Sequence, residues 1–130
     1  MKIEVAKTEK YSLVVDAAKN RIYVTMIGFW KSPAEVPNFV KDWKAALSKV
    51  KKGFTVLTDH AQRTPPTPEV KEMFVELQKR IMAAGLRKTA ELLNKNAILS
   101  LSTDAVAKKS GMLKADFFDR AEAEAWLDEE

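Results

Sequence analysis

The chain has 130 residues, 22 of them basic and 18 acidic, with a formal net charge of +4 and no cysteine. That length suits one domain able to bury a hydrophobic core without staples, and the absence of cysteine excludes disulfides, thiolate metal sites and a cysteine nucleophile. The basic residues are scattered in small groups with acids between them and no aromatics beside them. They read as a solvated surface, since nucleic-acid binders concentrate their charge on one face.

Residues 1–10 carry a charge every few positions and no apolar run, so neither a signal peptide nor a membrane span is expected. A bacterial-type cytoplasmic protein is the expectation. Residues 12–18 and 21–28 are rich in β-branched and apolar side chains. Lys19 and Asn20 lie between them, and Asn tolerates the left-handed turn conformation, so the pair predicts an antiparallel hairpin.

Ser32, Pro33 and Glu35 have the spacing of a capping box that opens a helix. Val36, Phe39, Val40, Trp43, Leu47 and Val50 then recur at helical intervals, and Gly53 closes the segment. Residues 54–58 are a short apolar run with threonines alternating, the pattern of a central strand. A polar loop follows, and Thr67 caps a second helix from Pro68 to about Ala84. Its stripe is Val70, Met73, Phe74, Leu77, Ile81 and Ala84, with Gly85 as the stop.

Residues 87–93 read as a fourth strand made of poor strand formers. Residues 97–102 alternate as a strand would, yet Ile98, Leu101, Ala105 and Met112 also suit a helix ending near Gly111. The helix is chosen because strand and helix alternate on both sides of it. Residues 114–118 make a fifth strand. Asp119 and Glu122 form a second capping box, and Ala123, Trp126 and Leu127 give the last helix its inner face. The order is ββαβαβαβα, which predicts a single-domain α/β fold: a mixed sheet with an N-terminal hairpin, covered by helices.

A loop leaving the carboxyl end of a strand in such a sheet is the usual place for a site. Asp59, His60, Arg63, Thr64 and Thr67 are the candidate binding residues there. Asp59 and His60 form the one adjacent acid–imidazole pair, but strand neighbours point to opposite faces, and no nucleophile-elbow serine accompanies them. Asp59 reads better as a residue that hydrogen-bonds the loop backbone. Thr67 is first a helix cap, although amides at a helix start also attract anions and Arg63 could add charge. Phe29 and Trp30, at the end of the second predicted strand, read either as a lid on the core or as exposed anchors. One histidine and no cysteine give no support to a metal, and the four glycines stand alone, without a nucleotide loop.

The element order, residues 54–59 as the third strand, residues 85–93 leading into the fourth, and the tail Phe117-Phe-Asp-Arg-Ala-Glu-Ala-Glu-Ala-Trp-Leu127 resemble the STAS fold, in particular its SpoIIAA-like (STAS/SEC14-like) branch. In antagonist STAS proteins a serine or threonine starting the helix after strand three is phosphorylated, which blocks docking on an anti-sigma partner. The matching positions here are Thr64 and Thr67, and Arg63-Thr-Pro-Pro-Thr-Pro68 replaces the family's Asp-Ser-Ser-Gly-like signature.

The resemblance implies a non-enzymatic regulatory module without a cofactor. It would dock a protein partner, or a small anionic or apolar ligand, at residues 59–68. The alternative is a SEC14-like carrier of a small apolar or lipid ligand, which predicts an apolar pocket between helix and sheet. A small hydrolase built on Asp59 and His60 is the enzymatic reading. An apolar patch on the hairpin or at Phe29 and Trp30 would make a homodimer.

Overall fold

A computed structural model describes residues 2–129. Six strands form one sheet in sequence order: β1 (Lys2–Lys7), β2 (Tyr11–Asp16), β3 (Arg21–Gly28), β4 (Thr55–Arg63), β5 (Lys88–Leu92) and β6 (Ala115–Phe117). The first three are an antiparallel meander, and β3 to β6 run parallel. Four helices join them: α1 (Phe39–Leu47), α2 (Pro68–Ala83), α3 (Ala97–Ser110) and α4 (Arg120–Asp128). No helix among the described residues is long and apolar enough to cross a membrane.

From β3 onward each strand is added on the same side of the last, so three right-handed crossovers put α1, α2 and α3 on one face. That face carries the main core, including Val15, Val24, Trp30, Phe39, Val56 and Ile81. After β6 the chain turns back, and α4 packs Ala123 and Leu127 on Leu57 and Ala90 of the opposite face. Arg87 and Lys88 hold α4 by donating to the carbonyls of Leu127, Trp126 and Glu129 at 2.8–2.9 Å.

The predicted hairpin is β2–β3, with Asn20 in the left-handed region at φ +53°. Residues 97–110 are helical: Asn96 accepts from the amides of Ile98 and Leu99, and Gly111 closes α3 at φ +87°. Asp119 caps α4 through the amide of Ala121.

Four expectations need correction. The charged N-terminal stretch is a strand, β1, so the order is βββαβαβαβα. As an edge strand it pairs through its backbone and buries little side chain, which left no apolar signal. The box at Ser32 does not cap α1: residues 33–35 form one 3₁₀ turn, Glu35 accepts from the amide of Lys31, and α1 starts only at Phe39. β4 does not stop at Thr58 but runs to Arg63. Finally, α3 turns a different face inward: Ile98 and Leu101 are each 68% exposed, while Leu99, Ser102, Thr103 and Val106 are buried.

Candidate functional site

The extension of β4 decides where the candidate residues go. Val56, Thr58 and His60 alternate onto the face covered by α2 and α3, as period two requires. The ladder then shifts: Thr25 pairs with Asp59 but Ile27 pairs with Gln62, so β4 holds one residue more than β3. Such a bulge re-aims the side chains beyond it. It brings Arg63, rather than Gln62, to the same face as His60. Asn94, after β5, fastens this end of the strand by donating to the carbonyls of His60, Ala61 and Arg63.

Arg63 is therefore 3% exposed and His60 2%. Arg63 offers no charge to an approaching partner, contrary to the steering role expected of it. Its guanidinium lies over the Phe74 ring, 4.5 Å from the centroid, with Trp30 at 5.7 Å. Nη1 donates to His60 Nδ1 at 3.0 Å and to Met26 Sδ at 3.6 Å. His60 Nε2 donates in turn to Oε1 of Glu91, a buried β5 residue, at 2.7 Å. Burial lowers the Arg63 guanidinium and the Glu91 charge partly offsets it, leaving it at about 10. Lys114 Nζ lies 3.9 Å from the second Glu91 oxygen and is also held by Asp104 and Asp116. Burial pulls Lys114 down, but the three carboxylates outweigh it and hold the ammonium above the ordinary lysine value.

His60, Arg63 and Glu91 stand on the wall of a half-enclosed cavity of about 60 Å³ between the sheet and the α1–α3 layer. Most of the wall is apolar, including Val24, Met26, Phe39, Leu77, Ile81 and Val106. Thr58, Thr89, Gln78, Ser102 and Thr103 add polar atoms. Three buried polar atoms have no hydrogen-bond partner among the described residues: Trp43 Nε1, Arg63 Nε and Glu91 Oε2. All three residues line this one cavity. A buried polar atom left unmade costs about 1–3 kcal/mol, so three on one wall call for an explanation.

The other candidates lie elsewhere. Asp59 faces away from His60: Oδ1 accepts from the amide of Ala61 at 2.8 Å and Oδ2 pairs with Arg120 at 2.9 Å. Thr64 is exposed. The Thr67 hydroxyl donates to the Lys31 carbonyl at 2.8 Å and accepts from the amide of Val70, which caps α2. The structure thus unites His60 and Arg63, and separates both from Asp59, Thr64 and Thr67. Trp30 is buried in an aromatic cluster with Tyr11 and Phe39, whereas Phe29 is 50% exposed.

Glu91, Trp43, Ser102 and Thr103 were not among the sequence candidates. Thr89 and Glu91 do alternate with Ala90 and Leu92, which marks them as sharing a strand face. Nothing in the sequence pairs Glu91 with His60, 31 positions away. Among the described residues no group of three or more histidine or acidic side chains is placed to hold a metal ion. Comparisons with models of protein families, with curated proteins and with solved structures return no match.

Proposed function

We propose that the chain is a non-enzymatic binding module that holds a small guest in the cavity between β3–β5 and α1–α3. One observation carries this reading: Trp43, Arg63 and Glu91, each with a buried side-chain atom that makes no hydrogen bond, all line the same apolar-walled cavity. A concave apolar pocket with a few convergent polar groups is the usual form of a small-molecule site. The inward Ser102 and Thr103 of α3 support it, since packing alone would favour apolar residues there. The reading sides with a ligand carrier of the SpoIIAA-like (STAS/SEC14-like) kind, and the parallel βα succession ending in β6 and α4 agrees with that resemblance. His60 has no free ring nitrogen, which speaks against its use as a general base.

The test is native mass spectrometry of protein purified from its host, with methyl NMR of the stripped protein. A bound small molecule, and shifts at Val24, Ile81 and Val106 when the extract is added back, are expected. Ser102→Leu, which would fill the cavity from α3, should abolish both. Bare protein with unmoved methyls would end the reading.

Docking of a protein partner is the second reading, favoured by Leu101 and Phe118, 68% and 66% exposed, which share a groove at the end of α3 nearest Asn94. Thr64 would be its accessible phosphoryl acceptor. Leu101→Asp should then weaken capture of a partner from the native host, and unchanged capture would count against docking there.

A further inference from the structure

The free edge of one arginine specifies the guest. Both hydrogens of Arg63 Nη1 are taken, by His60 Nδ1 and Met26 Sδ. Phe74 and Trp30, with ring centroids 5.7 Å apart, pack together on one side of the guanidinium. The hydrogen-bond donors left over are those of the edge from Nε to Nη2, and Nε has no partner among the described residues. Two parallel N–H bonds on one side of a guanidinium match the two oxygens of a carboxylate. Trp43, which lines the same cavity, carries a second buried donor, Nε1, that also lacks an acceptor.

Charge points the same way. The ionised groups buried at this end of the fold are Arg63, Lys114 and Glu91, with side chains 3–7% exposed, two cations to one anion. Asp104 and Asp116 also hold Lys114, but they stand toward solvent, 56% and 32% exposed. Glu91 directs Oε1 to His60, so the imidazole lies between the carboxylate and the guanidinium. Glu91 Oε2 lies 3.9 Å from Lys114 Nζ, so both oxygens are directed to groups other than a guest at the Arg63 edge. Desolvation lowers the affinity of Arg63 for its proton, as expected of a cation still short of a counter-charge.

We propose that the cavity selects small monocarboxylates with an apolar body, the carboxylate lying against the Nε–Nη2 edge of Arg63 and the hydrocarbon against Val24, Ile81 and Val106. This rests on reading the cavity as a binding site. A volume of about 60 Å³, under half of the roughly 150 Å³ that admits a benzene ring, sets the scale at a short aliphatic acid rather than an aromatic acid or a long-chain lipid.

The experiment compares propionate and butyrate with propionamide and butyramide, which keep the shape and lose the charge. Titrations are followed by methyl NMR at Val24, Ile81 and Val106. The acids are expected to bind at least tenfold more tightly than the amides. Arg63→Gln should erase that preference, and Arg63→Lys, which keeps charge but not the fork, should restore only part of it. Equal binding of acids and amides would overturn the carboxylate proposal and leave the cavity reading standing. No shift with any of the four would overturn both. The acid–amide comparison is made on the unaltered protein, so it decides even where a variant fails to fold.

Discussion

Arg63 Nη1 lies 3.0 Å from His60 Nδ1, and that contact assigns the imidazole proton. Arginine has donors only, so Nδ1 must present its lone pair. The proton is then on Nε2, where it is donated to Glu91 Oε1 at 2.7 Å. The expected result of ¹⁵N NMR on this single histidine is a neutral ring with Nδ1 unprotonated and Nε2 protonated. A protonated Nδ1 would mean that the guanidinium and the imidazole are not joined as described.

The same chain of bonds sets the cost of breaking it. Glu91→Leu removes the buried anion whose charge acts on both Arg63 and Lys114. Removing one partner from a buried charge network costs about 3–5 kcal/mol. Replacing both ends, as Arg63→Met with Glu91→Leu, removes the stranded charge along with its partner. The double variant should be more stable than the two single losses added together, by about 1–3 kcal/mol. Urea denaturation of the four proteins of the cycle measures this, and additive losses would refute the coupling through His60.

The fold was legible where side-chain burial follows a regular period. Val56 and Leu57 announce β4, and the apolar stripe of α2 together with Thr67 announces its length and its cap. The site was legible only in part, because three devices break the period. β1 is held by its backbone, so Ile3 and Val5 give no more signal than a loop would. The bulge after Asp59 shifts the alternation by one, which sends Arg63 inward from what reads as a polar turn. In α3 the apolar Ile98 and Leu101 face solvent while Ser102 and Thr103 face the cavity, so the amphipathic rule selects the wrong side of a correctly placed helix. Two of these departures, at Arg63 and in α3, lie on the wall of the cavity. Local rules are expected to fail at a site.

Both tyrosines should resist ionisation. Burial raises Tyr11, and its bond to Asp42 Oδ2 at 2.6 Å raises it further; Tyr23 is also raised, by burial foremost. A folded value above the unfolded value of about 10 gives stability that is fully present below pH 10 and lost as pH rises through the raised value. Tyrosinate absorbance should therefore appear only as the fold opens in alkali. Tyr11→Phe should cost about 1.5 kcal/mol at neutral pH and flatten the alkaline loss of stability. A normal tyrosine titration in the intact protein would contradict the Tyr11–Asp42 bond.

Two glycines at helix ends should respond differently to alanine. Gly85 and Gly111 both have positive φ, +105° and +87°. A left-handed residue with a side chain costs about 1–2 kcal/mol, and Gly111→Ala should cost no more, since nothing stands within 4 Å of the added carbon. At Gly85 that carbon would sit 2.6 Å from Lys52 Cγ and 3.0 Å from Lys52 Cα, at the contact where the Gly53 amide donates to the Gly85 carbonyl. Gly85→Ala should be the worse by at least about 1 kcal/mol, roughly the strain of forcing an extra carbon into a packed site. Equal midpoints in urea would show that the loop of Lys52 gives way without cost.

Acid should loosen α4 through Arg21. This arginine is 2% exposed and reaches across the α4 face of the sheet to Glu124 and Asp128, while its Nε donates to Thr55. The bond from Arg21 holds the Asp128 carboxyl below its ordinary value, with the Arg21 and Lys19 charges adding to it. A carboxyl lowered in the folded state contributes stability above its unfolded value of about 3.9, and that contribution is lost as pH falls through the lowered one. Asp128→Asn should remove this part of the acid limb and leave the curve unchanged near neutrality apart from a constant offset. Urea midpoints measured from pH 6 downward, with the Trp126 indole signal in NMR as a local report on α4, give the comparison. If the variant and the parent lose stability in parallel below pH 4, the Arg21–Asp128 bond does not fasten the helix.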